Sequence, residues 1–131
     1  QEIIDNFLRV GDYSVRARFS SVSQPGMNVI GKIFTNPAYK QRFLDELHIG
    51  TSLLKARASL FLQEAEKLDL QILPYCGGFF ISVPTKNKNI FKDLVEDHVY
   101  VIPMQDIIRI AISSLCMDEI PELVRKIKKH I

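Results

Sequence analysis

The chain has 131 residues, 47% hydrophobic and 24% charged, with a formal net charge of +2. That is ordinary globular composition, long enough for one core and too weakly basic to require a polyanion partner. Two cysteines, Cys76 and Cys116, exclude a disulfide framework and favour a reducing, cytoplasmic setting. No apolar run approaches the roughly 20 residues of a membrane span, so no membrane partner is expected. Gln1 is not an initiator Met and no leader pattern follows it, so the chain reads as a fragment or a processed product.

Ile3, Ile4, Phe7 and Leu8 fall at helical spacing, and Gly11 reads as the stop of that helix. Tyr13 to Phe19 alternates loosely; if extended, it points Arg16 and Arg18 to one side. Ser20 to Gly26 reads as a polar loop, and a short helix is expected from near Pro25 to Phe34. Asn36-Pro37 is a helix start, an N-cap residue followed by Pro at the first helical position. From there Phe43, Leu47, Gly50, Leu54, Ala58, Phe61, Ala65 and Leu68 form one stripe, spaced by three and four throughout. A helix from Pro37 to Leu68 is about 48 Å long. A compact domain of this size is roughly 36 Å across, so the helix overruns it and suits a bridge between domains or subunits. A break at Gly50 into two ordinary helices is the alternative, and propensity does not separate the two.

Beyond Leu68 the texture changes. Leu70 to Leu73 reads as a short strand, Cys76-Gly77-Gly78 as a turn, and Phe79 to Val83 as a strand stopped by Pro84. Asn87 or Asn89 caps a helix carrying Ile90, Phe91, Leu94 and Val95. Val99 to Ile102 is a strand ended by Pro103, and Met104-Gln105-Asp106 turns the chain into Ile107 to Ser114. Asp118 caps a last helix with Ile120, Val124, Ile127 and Ile131 as its stripe. The cations at its end, Lys126, Lys128, Lys129 and His130, suit the helix dipole better than a nucleic-acid surface. The expected architecture is α+β: long helices, then a β-β-α-β-β-α unit with helices on a mainly antiparallel sheet.

The chemistry concentrates on Arg109, the one charge in an isoleucine-rich strand. Ile107, Ala111 and Ser113 share its face; Ile108, Ile110 and Ile112 take the other. Either this is an edge strand with a wet face, or the guanidinium is aimed at a carboxylate or phosphate. His48, His98 and His130 lack metal-ligand spacing. No nucleophile motif surrounds the cysteines or serines.

Five segments, in order, resemble the C-terminal part of the class I/II aminotransferases, fold type I pyridoxal-phosphate enzymes of the aspartate and aromatic kind. Val15-Arg16-Ala17-Arg18-Phe19-Ser20-Ser21 resembles the family's Val-Arg-x-x-Trp/Tyr-Ser-Asn, and Thr35-Asn36-Pro37 the Ser/Thr-Asn-Pro that opens its interdomain helix. Cys76-Gly77-Gly78-Phe79-Phe80-Ile81, His98-Val99-Tyr100-Val101-Ile102-Pro103 and Ile108-Arg109-Ile110-Ala111-Ile112-Ser113 resemble its three small-domain strands. The resemblance implies that residues 1–36 close the large cofactor domain and 37–131 form the linking helix and small domain. It implies that Arg109 grips the substrate α-carboxylate, Arg16 a distal carboxylate in the neighbouring subunit's site, and that Phe79 lines the pocket. The implied reaction moves an amino group between a dicarboxylic or aromatic amino acid and a 2-oxo acid. The implied partners are the rest of the large domain and a second subunit. Ser21-Val22-Ser23 stands where the family often has Asn-Pro-Pro, and Met104-Gln105-Asp106 lacks the usual glycine. The catalytic lysine, in a Ser-Lys context followed by Gly and Arg, matches no lysine here, so no cofactor binding and no activity are expected of this chain alone. The other readings are a non-catalytic α+β ligand-sensing or interaction module, and the aminotransferase-like domain of a transcription regulator.

Overall fold

The computed structural model describes residues 1–19 and 24–131. The chain forms two compact units, Gln1–Glu46 and Leu47–Ile131. Of the predicted polar loop Ser20–Gly26, Ser20–Ser23 lie outside the described residues, while Gln24–Gly26 are helical and open α2 instead.

The first unit is helical. α1 spans Glu2–Phe19 and α2 spans Gln24–Thr35. Gly11 does not stop α1; the helix continues through it and through the stretch expected to be extended. A mid-helix glycine costs only about 1 kcal/mol, which the residues on either side of Gly11 offset. Arg16 and Arg18 are therefore two helical positions apart and do not share a side as strand residues would. No described residue of this unit is buried, and Ile3, Phe7, Val10, Met27 and Phe34 are exposed.

α3 runs unbroken over Pro37–Lys67, so Gly50 is not a break. Asn36 caps it as expected: its Oδ1 accepts from the amides of Ala38 at 3.0 Å and Tyr39 at 3.3 Å. The expected stripe buries only at its C-terminal end, through Ala58, Phe61 and Ala65.

α3 ends in a Schellman motif without glycine. Leu70 N donates to Ala65 O and Asp69 N to Glu66 O, with Asp69 at φ 50°. Leu70 to Leu73 then makes no regular strand, contrary to the pattern; one bond, Leu73 N to Ser82 O, ties it down. Three strands follow instead of four: β1 (Phe80–Pro84), β2 (Ile102–Met104) and β3 (Ile107–Ala111), in the antiparallel order β1-β3-β2. β2 lies three residues later than its apolar run suggested. The cause is the end of α4 (Ile90–Glu96), a second Schellman motif with His98 at φ 60° and Val99 N donating to Leu94 O. Val99 and Val101 are drawn into the core there, and pairing starts at Ile102. Pro103 sits within β2, which an edge strand tolerates because its missing N–H has no ladder to serve. A short 3-10 turn, Ile112–Ser114, leads on to α5 (Ile120–His130). Asp118 is not the cap of α5; Glu119 holds that position, and its Oε2 accepts from Cys116 N.

The core is one apolar cluster. Phe61, Ile81, Val83, Leu94, Ile108, Ile112, Ile120, Val124 and Ile127 are all fully buried. Ile131, the last residue of the expected α5 stripe, is 47% exposed instead. The architecture is α+β, as expected.

Candidate functional site

β3 alternates as its sequence requires. Ile108 and Ile110 are buried on the core face, while Ile107, Arg109 and Ala111 are half-buried on the other. Arg109 is not on an edge, however. It stands on the central strand, opposite Ser82 of β1 on one side and Ile102 of β2 on the other. The edge-strand reading is thereby overturned. A two-residue connection at Gln105-Asp106 folds β2 onto one side of β3, and β1 closes the other.

The residues in register with this face are Phe80, Ser82, Pro84, Ile102 and Met104. It is an apolar floor with one hydroxyl and one guanidinium. The Arg109 Cζ lies 4.3 Å from the centroid of the Phe80 ring. That distance fits a cation–π contact between the guanidinium and the ring. Among the described residues no carboxylate forms a salt bridge with Arg109. A planar donor fork has the geometry to pair with a carboxylate or a phosphate.

Strand parity could have singled out Phe80 in advance. With Ile81 and Val83 inward, Phe80 and Ser82 must share the Arg109 face. Phe79 immediately precedes β1 and is 61% exposed; its carbonyl accepts from Ile112 N at 2.8 Å. Before it Gly77 and Gly78 take φ values of 142° and 102°, which side chains rarely adopt, and Tyr75 Oη donates to Gly78 O. Arg16 belongs to the other unit. It lies on α1, 3.9 Å from Asp12, both side chains more than 70% exposed in the values 75% and 72%. Such a pair contributes little.

Two hollows in the Leu47–Ile131 unit do not include Arg109. One, of about 300 Å³, is lined by His98, Tyr100, Glu119 and Lys126; the other, of about 690 Å³, by Asp69, Lys86, Asp106 and Lys128. A separate charged cluster joins α4 to α5. Lys129 Nζ lies 2.9 Å and His130 Nε2 2.7 Å from Asp97 Oδ2, and Lys126 Nζ donates to Asp97 O. The hydrogen bond from Lys129, then that from His130, lowers the Asp97 carboxyl to a pKa of about 2. Asn87 completes the junction, donating to Asp93 Oδ2 and His130 O. The basic end of α5 is thus held by Asp97 and, through Lys128 Nζ, by Asp69 O. No described group of three His, Cys, Asp or Glu residues forms a metal site, and no described helix is long and apolar enough to cross a membrane.

The Leu47–Ile131 unit is thus α+β, with Arg109 on the sheet face away from the core. The chain belongs to the aminotransferase class I and II family, whose model matches residues 13–127. It is similar to an aminotransferase from Anaerococcus prevotii, with 32% identity, a TM-score of 0.92 and 98% of this chain covered. It spans 32% of that enzyme's length. The 8-amino-7-oxononanoate synthase of Francisella tularensis shares the fold at 18% identity, TM-score 0.63, over 98% of this chain and 39% of its own. No curated protein matches.

Proposed function

We propose that this chain is the substrate-carboxylate-binding segment of a pyridoxal-phosphate aminotransferase, with residues 1–36 closing the large domain and 37–131 forming the linking helix and small domain. The reaction is transfer of an amino group from an amino acid to a 2-oxo acid, in a reducing, cytoplasmic setting. The observation that carries this reading is Arg109, without a carboxylate partner among the described residues and backed by Phe80 on an apolar sheet face, in a chain of this family. Arg109 grips the α-carboxylate through two parallel N–H bonds, fixing the substrate's Cα against rotation. Phe80 holds the guanidinium flat, and Phe79, exposed one residue earlier, lines the approach. The floor suits an aromatic side chain; a dicarboxylic substrate would draw on Arg16 of a second subunit, which must first leave Asp12.

The residues of this face do not fit the cofactor itself. Pyridoxal phosphate is an aldehyde held through a lysine amine, and no lysine stands among Phe80, Ser82, Pro84, Ile102, Met104, Ile107, Arg109 and Ala111. The chain's part is therefore to bind and orient substrate. The exposed apolar residues of α1 and α2 call for a cover, which the reading assigns to the rest of the large domain and to a homodimer partner.

The test is Arg109→Ala in the full-length enzyme. KM for the amino donor should rise about a hundredfold, the scale of a lost charged bidentate pair, with a smaller change in kcat. Near-normal kinetics would remove the assignment. The 131-residue chain alone should take up no pyridoxal phosphate, read by its visible absorbance after gel filtration.

A further inference from the structure

The Arg109 strand is held at its C-terminal end by a second arginine. Arg57 lies on the core-facing side of α3, next to buried Ala58 and one turn before buried Phe61. Its Nη1 donates to Ser113 O at 2.8 Å. Its Nε is buried and has no hydrogen-bond partner among the described residues. An unpaired buried donor on a guanidinium is costly, so the side chain is committed to this position at some expense.

The carbonyl it holds is well chosen. Ser113 lies in the turn that ends β3, four residues beyond Arg109. Four bonds converge on that end: Ile112 N to Phe79 O at 2.8 Å, Ser114 Oγ to Ala111 O at 2.9 Å, Leu115 N to Ile112 O at 3.4 Å, and Arg57 Nη1 to Ser113 O. The first three are local or within the sheet. Among the described residues, only the Arg57 bond reaches this end from α3, from a residue 56 positions away in sequence. The same end sets the Phe80–Ala111 pairing, and Phe80 is the ring on which Arg109 lies.

We infer that Arg57 is a positioning residue for the Arg109 carboxylate clamp, fixing the end of β3 to α3 so that the guanidinium and the Phe80 ring stay in register. This rests on the carboxylate-binding role proposed above for Arg109. Arg57 touches no substrate; it acts through the Ser113 carbonyl. The binding energy of a bidentate pair depends on both bonds forming at once, so a strand end free to shift weakens the grip and leaves the chemical step alone.

The probe is 3-phenylpropionate, a carboxylate with neither amino nor oxo group to react, titrated into the full-length enzyme. Arg57→Met keeps the apolar stem and removes the donors. It should weaken 3-phenylpropionate about tenfold and raise KM for the amino donor by a similar factor, the scale of one charged hydrogen bond, with kcat within about twofold. Arg57→Lys restores one donor and should recover most of the affinity. Unchanged probe affinity in Arg57→Met, or a fall in kcat at constant KM, overturns the inference. The control is Arg109→Ala. If it weakens the probe strongly while Arg57→Met does not, the clamp stands and the positioning role falls; if it too leaves affinity unchanged, the clamp reading itself is wrong. Should Arg57→Met not fold, the Arg57 Nε–H resonance of the unsubstituted enzyme serves instead. It should shift saturably with the probe and stay still in Arg109→Ala, and a resonance that never moves overturns the inference.

Discussion

The two units of this chain follow the same rule to opposite ends. In Gln1–Glu46 the apolar residues recur at helical spacing, yet no described residue is buried. In Leu47–Ile131 the same kind of periodicity closes into a cluster around Phe61, Ile108, Ile112 and Val124. An amphipathic helix gains most of its stability from what its apolar face meets. The second unit supplies a sheet, α4 and α5 for α3 to meet; no described residue of α1 or α2 is buried. Periodicity therefore announces a buried face without naming its cover.

The sharpest way to break this contrast is a matched pair of substitutions in the 131-residue chain. Phe61→Ala should destabilise by about 3–5 kcal/mol, whereas Phe7→Ala should cost less than about 0.5 kcal/mol, both read by denaturant unfolding. Equal effects would mean that α1 has a core of its own. Next comes the start of α3. Asn36→Ala removes the acceptor for Ala38 and Tyr39 and should cost about 1 kcal/mol, seen as faster amide exchange in the first turns of the helix. Gly50→Ala should act the other way. Gly50 is exposed in mid-helix with nothing within 4 Å of an added Cβ, so the substitution should stabilise α3 by up to about 1 kcal/mol. A loss of helix on that change would revive Gly50 as a hinge.

The smallest expected effect belongs to Asp97, on the surface of the well-packed unit. Its folded pKa, about 2, lies below its ordinary 3.8, so ionised Asp97 stabilises the fold above that ordinary value. The contribution is lost as the pH falls through about 2. Asp97→Asn should therefore lower Tm modestly at neutral pH and make no difference in strong acid, and added salt should shrink the gap. A gap that persists in acid would assign the effect to hydrogen bonding in place of charge.

Much of this was legible beforehand where one local rule sufficed. The Ile108, Ile110 and Ile112 face, the Asn36-Pro37 start and the Ile120, Val124 and Ile127 stripe each follow from strand or helix period and a capping residue. The failures fall where a local signal met a longer-range one. Gly11 reads as a stop only if the helix has no reason to continue. The run Val99 to Ile102 has strand composition, but the left-handed turn at His98 delays pairing until Ile102. The face shared by Phe80 and Arg109 follows from parity alone once Ile81 and Val83 are the inward pair. Arg57 carried no such signal, since nothing in Lys55-Ala56-Arg57-Ala58 points to a carbonyl 56 residues on.

By itself the amino-acid order determined which faces are apolar, where the long helix begins, and that a single guanidinium interrupts an isoleucine strand. Those are properties of neighbours in the chain, set by 3.6- and 2-residue periods and by capping chemistry. Tertiary structure alone decided that this strand is central, that its arginine lies on Phe80, and that Arg57 holds its end. Each of these depends on residues far apart in sequence coming into contact. Such pairings are chosen by the packing of the whole core, and no local pattern encodes them.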